Sequence, residues 1–100
     1  MIYVAYFFAG AFLLNGLPHL VAGLQGARFP TPFGKPPGRG ESSAPVNFLW
    51  GALNLAAGVA LLVRFPLNLG ANAATLAMAA GALLLGLSLS LHFGAVQKTK

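Results

Sequence analysis

Three long apolar stretches, separated by two short polar interruptions, set the pattern of this chain. The charged residues are Arg28, Lys35, Arg39, Glu41, Arg64, Lys98 and Lys100, which leave charge-free runs over residues 1–27, 42–63 and 65–97. Each run is long enough to cross a hydrocarbon core as a helix, for which about 20 residues suffice. The pattern predicts helices over about residues 2–24, 45–63 and 69–94, with a loop at 26–45 and a short turn at Arg64, Phe65 and Pro66.

The first run could be read as a secretory signal, being N-terminal and apolar with small residues at Ala9, Gly10 and Ala11. It lacks a basic n-region and exceeds the usual apolar core of a signal, so a retained transmembrane helix is the better expectation. Pro18 falls inside it, removes one backbone donor, and is expected to kink its last turn and a half. The loop carries Pro30, Pro32, Pro36, Pro37 and Pro45, five of the seven prolines. Phe29 and Phe33 interrupt its polar character, which predicts a segment lying against the membrane surface with its rings at headgroup level. Ser42 or Ser43 can cap the second helix, with Pro45 in its first turn.

Composition strengthens the membrane reading: 57% of the 100 residues are apolar and 7% charged, where a soluble domain has roughly 25% charged. A fold of this size cannot cover such a chain with polar groups, and the absence of Cys excludes a disulfide scaffold. The expected fold class is all-α, a single polytopic membrane domain of three transmembrane helices with a Pro/Gly-rich interfacial loop. The net charge of +5 is distributed unevenly. With three crossings, the loop and C-terminus share Arg28, Lys35, Arg39, Lys98 and Lys100, while the other side has Arg64 and the chain's amine. The positive-inside rule then puts loop and C-terminus in the cytoplasm and the N-terminus outside. Basic residues this few, beside membrane spans, do not suggest a nucleic-acid partner.

Helical spacing gathers the polar and small residues into stripes. The first helix aligns Ala5, Phe8, Phe12, Asn15, Gly16, His19 and Gly23; the second aligns Asn47, Gly51, Asn54 and Gly58; the third aligns Ala74, Ala77, Gly81, Ser88 and His92. Small residues let helices approach closely and Asn, Ser and His bond between them in lipid, so Asn15, Gly16, Asn47, Gly51, Asn54, Gly58, Gly81 and Ser88 are the expected packing positions. The topology also brings His19, His92, Asn47 and Trp50 to one leaflet beneath the proline-stiffened loop. His19 and His92 are therefore the candidate cofactor-binding pair, for haem b or another metal centre, with a quinone or lipid headgroup as a further occupant. The competing reading makes each imidazole a hydrogen-bonding link at a helix interface. The segment Gly34 to Ser42 does not match the spacing of a phosphate loop, and its prolines lack the donors that would hold phosphate. Electrostatic attraction of the loop to anionic lipid is the better expectation.

The segments Asn15-Gly16-Leu17-Pro18-His19, Phe29-Pro30-Thr31-Pro32-Phe33, Pro36-Pro37-Gly38 and Ser42-Ser43-Ala44-Pro45-Val46-Asn47, followed by Trp50-Gly51, resemble a group of small uncharacterised bacterial integral membrane proteins. The likeness spans roughly residues 10–58. It implies a bacterial membrane protein and carries over no catalytic residue.

The expected function is that of a non-catalytic accessory or assembly subunit, packed in the bilayer against larger subunits or a second copy, with an energy-transducing complex as one such host. A haem- or metal-binding redox module built on His19 and His92 is the alternative, and a small oligomeric transporter the third. Proton-coupled transport usually needs an intramembrane carboxylate, whereas Glu41 sits in the loop. An enzyme is not expected: the spans hold no Cys nucleophile, no carboxylate pair and no acidic partner for either His.

Overall fold

The computed structural model describes residues 1–98. It is all-helical apart from one minimal ladder: α1 spans Ile2–Leu24, β1 Phe29–Pro30, β2 Glu41–Ser42, α2 Ala44–Arg64 and α3 Ala73–Lys98. All three helices are long and apolar enough to cross a membrane, and the chain is a membrane protein with three transmembrane helices. Lys100, one of the basic residues behind the expected orientation, lies outside the described residues.

The first two helices lie close to their expected bounds, and α1 continues through Pro18 without a break. The third starts and ends four residues later than the expected 69–94. Its start is delayed because Asn68 to Asn72 form a hydrogen-bonded turn. Asn72 Nδ2 donates to Asn68 O at 2.8 Å, and Asn72 Oδ1 accepts from Thr75 N–H at 2.8 Å, capping the helix. At its other end, Gly94 lies inside the helix and does not stop it.

Helix α1 occupies the middle and packs against both α2 and α3. It runs antiparallel to α2 and parallel to α3, so the end of α1, the start of α2 and the end of α3 gather under the loop. Both seams are built on glycine. On the α2 side, a Cβ at Gly16 would stand 2.7 Å from Gly51 O, one at Gly23 2.5 Å from Phe48 N, and one at Gly58 2.7 Å from Leu13 Cγ. On the α3 side, a Cβ at Gly10 would overlap the Met78 carbonyl, and one at Gly81 would overlap that of Phe7. Gly86 faces Leu14 on the same seam. Backbones this close exchange dispersion contacts along their length, the main attractive force between helices in lipid.

The interior is consequently made of small and polar residues. Buried positions include Tyr6, Ala9, Ala22 and Val96 among the apolar residues, and His19, Thr31, Asn47 and Asn54 among the polar ones. The stripe expected for α1 and one expected packing position need correction. Phe8 and Phe12 are exposed while Tyr6, Ala9 and Gly10 are buried, because α1 has a neighbour on two sides and its buried surface is wider than one stripe. Ser88 is exposed, and its hydroxyl donates to Leu84 O of its own helix at 2.8 Å rather than across an interface.

Candidate functional site

The loop is anchored by a single amide. Asn47, fully buried near the start of α2, donates through Nδ2 to the carbonyls of Phe29, Ser42 and Ser43, each at 3.1 Å. Those carbonyls belong to β1, β2 and the cap of α2, so Asn47 holds the ladder pairing Phe29 with Ser42 and Pro30 with Glu41 onto the helix. Ser43 caps α2 by accepting from Val46 N–H at 3.5 Å. Within the loop, Gly38 N–H donates to Thr31 O at 2.9 Å and Gly40 N–H to Pro36 O at 2.7 Å. Buried Thr31 shares a 2.5 Å hydrogen bond with the Ser42 hydroxyl, and its Oγ1 accepts from Phe33 N–H at 3.1 Å. Gly38 has φ +77°, a left-handed conformation that a side chain resists.

This anchoring fixes the state of His19. Because Asn47 Nδ2 is committed as donor to three carbonyls, its Oδ1 is the acceptor, and the 2.9 Å contact to His19 Nδ1 is a donation from the ring. In the neutral imidazole Nε2 is then the bare nitrogen. The same logic applies to His92, whose Nε2 lies 2.6 Å from Gly38 O. A carbonyl only accepts, so Nε2 is the donor. His19 is buried whereas His92 is exposed at the rim.

A second chain of amides runs deeper. Asn54 Nδ2 donates to Trp50 O at 2.8 Å, which leaves its Oδ1 to accept from Asn15 Nδ2 at 2.8 Å. Asn15 Oδ1 is thereby left as a free acceptor. Aromatic rings fill the space between the amides and the loop. Phe29 meets Phe93 at 4.7 Å and His19 at 5.4 Å between ring centroids, and Phe33 stands edge-on to Trp50 at 5.1 Å. Phe29 thus turns inward onto α1 and α3.

These groups line a half-open cavity of about 160 Å³ under the loop. His19, Asn15, Trp50, His92 and Phe93 line it from the helices, and Pro30, Thr31, Pro32 and Gly38 from the loop. Both candidate histidines thus meet one cavity, together with Trp50. Asn47 stands behind His19 as its hydrogen-bonding partner. Trp50 Nε1 is buried and has no hydrogen-bond partner. The spacing of residues gave no hint of Asn15 or Thr31 as cavity groups: Asn15 is grouped by periodicity with the packing stripe, and Thr31 sits among prolines. Among the described residues no three His, Cys, Asp or Glu side chains come together as a metal site.

Gly16, Gly51, Gly58 and Gly81 all lie on the two glycine seams, and Asn54 and Asn15 bridge α2 to α1. Gly10 and Gly86 complete the α1–α3 seam and escaped the sequence reading. The signal for Gly10 was the small cluster Ala9-Gly10-Ala11. No family model, curated protein or solved structure matches this chain.

Proposed function

We propose that the protein is a non-catalytic accessory or assembly subunit of a larger integral membrane complex, resident in a bacterial inner membrane with its loop and C-terminus in the cytoplasm. The observation that carries this reading is the packing of α3. Only 6% of its membrane-spanning window is buried within the chain, against 28% for α1. Yet its outer surface is not uniformly large and apolar. Ala73, Ala80 and Gly94 are exposed at heptad intervals, interspersed with Leu76, Leu83, Leu87 and Leu91. Lipid has no need of such small residues, whereas a second helix does. The polar side chains of the spans, by contrast, are largely occupied in internal bonds, from Tyr6 to His92. That supports a structural over a proton-carrying role.

The test is purification from native membranes in mild detergent, wild type beside Gly94→Leu. A Cβ at Gly94 meets nothing within 4 Å, so the variant should keep the fold of the chain itself while losing co-purifying subunits. Recovery of the wild-type protein alone and monomeric would overturn the reading. Reporter fusions at the C-terminus test the orientation.

A further inference from the structure

We propose that the cavity under the loop binds a membrane-soluble hydroquinone: a single aromatic ring bearing hydroxyl groups, with an apolar tail laid between α1 and α3. The size fits one ring, since about 160 Å³ compares with the roughly 150 Å³ cavity that accommodates benzene. The walls fit it as well. Phe93 and Trp50 line the cavity, and Phe29 packs on Phe93 beside His19, giving edges and faces suited to an aromatic guest.

The hydrogen-bonding inventory narrows the class. Trp50 Nε1–H is a buried donor without an acceptor. His19 Nε2 is an acceptor, fixed as such by the bond from Nδ1 to Asn47, and Asn15 Oδ1 is another, left over from its bond to Asn54. A hydroxyl group satisfies both kinds at once, donating to His19 Nε2 or Asn15 Oδ1 while accepting from the indole. A metal cation would leave the indole donor unanswered, and an anion would face the lone pairs of His19 and Asn15. A quinone, whose oxygens only accept, would answer Trp50 alone.

The tail has a place of its own. A groove of about 260 Å³ between α1 and α3 is lined by Leu14, Leu17, Gly86, Leu89 and Phe93 with Pro18 and Ser90 at its sides. Leu89 and Phe93 also line the cavity, so groove and cavity adjoin. Leu17 is exposed on the outer surface, which gives the groove access to lipid. The ring lies under the loop and the tail in this groove, passing the Leu89 and Phe93 side chains that line both, so that the tail stays in the bilayer.

Binding is measured on the full chain in phosphatidylcholine nanodiscs under anaerobic conditions, with octylhydroquinone, octylbenzoquinone and octanol as probes. The single Trp lines the cavity and serves as the fluorescent reporter, with equilibrium dialysis as the independent readout. The expected result is saturable binding of octylhydroquinone, about tenfold tighter than octylbenzoquinone, as the loss of one hydrogen bond of roughly 1.4 kcal/mol gives. Octanol should not compete. His19→Phe should reduce the preference for the hydroquinone, and His19→Phe with Asn15→Leu, which removes both acceptors, should abolish it. Leu89→Phe, which narrows the junction of groove and cavity without touching a hydrogen bond, should weaken binding at least tenfold and keeps the test decisive if His19→Phe does not fold. Leu83→Phe, on the exposed face of α3, should change nothing. Non-saturable partitioning, equal affinity for the two redox forms, undiminished binding to Leu89→Phe, or saturable binding of Cu²⁺ or Zn²⁺ in place of the hydroquinone would overturn the proposal.

Discussion

Gly16 and Gly51 face each other backbone to backbone: a Cβ on Gly16 would come within 2.7 Å of the Gly51 carbonyl oxygen, and one on Gly51 within 2.8 Å of the Gly16 carbonyl oxygen. The obstacle on each side is main chain, which cannot swing away as a side chain tip can. Even Gly51→Ala should therefore lower stability, and Gly51→Leu should do so by about 1–3 kcal/mol or more. Leu53→Ala, at a position 60% exposed, should change stability little. Unfolding curves in detergent compare the three variants, and equal tolerance would show that the α1–α2 seam is placed wrongly.

The amides should cost less than the glycines. Asn54→Leu breaks the bond to Asn15 and the one to Trp50 O. Intramembrane hydrogen bonds average about 0.6 kcal/mol each, so a loss near 1 kcal/mol is expected, milder than Gly51→Leu. A more severe effect of Asn54→Leu in the same unfolding assay would contradict this ranking.

Asn47 should be the exception among the amides. Asn47→Leu removes the side-chain donor of the Phe29 and Ser42 carbonyls and the acceptor of His19 at once, while Ser43 O keeps the backbone N–H of residue 47. The expected outcome is release of the loop, read as faster tryptic cleavage after the exposed Arg28 and Arg39. Unchanged cleavage would mean that the two-residue ladder holds itself.

Tyr6 provides a comparison at the opposite end of the molecule, where its hydroxyl donates to Pro66 O at 2.9 Å. Tyr6→Phe should cost about 0.5–1.5 kcal/mol in unfolding while leaving tryptic cleavage of the loop as in wild type. Ser88→Ala, which removes only a bond to the preceding turn of its own helix, should be neutral in both assays.

The spans were legible because charge defines their limits: Arg28 and the loop charges close the first run, and Arg64 closes the second. The α2 stripe was legible for a geometric reason. Helix α2 packs principally against α1, so Asn47, Gly51, Asn54 and Gly58, all buried, form one line at helical spacing. A single line could not describe α1, which is covered on two sides, and Phe8, Phe12, Tyr6 and Gly10 changed places accordingly. The convergence of His19, His92 and Trp50 on one end followed from topology alone. The β ladder did not, because its two-residue strands carry no period of their own and are held by the Asn47 side chain and the neighbouring Thr31 and Ser42 hydroxyls. Likewise no periodicity could say that Asn47 orients the His19 ring, since that depends on which carbonyls surround its amide.

The middle position of α1 also sets an order of events during synthesis. Its mean hydropathy of 1.5 is below the 1.8 of α2 and the 1.9 of α3, yet it is the first of the three to leave the ribosome. Asn15 and His19 emerge ahead of their partners, because Asn47 follows His19 by 28 residues and Asn54 follows Asn15 by 39. At roughly 5–20 residues per second, the gap for Asn15 is about 2–8 s. For that interval the helix that will become the scaffold is a nascent segment with open amide and imidazole groups. They gain these partners only once α2 has followed α1 into the membrane.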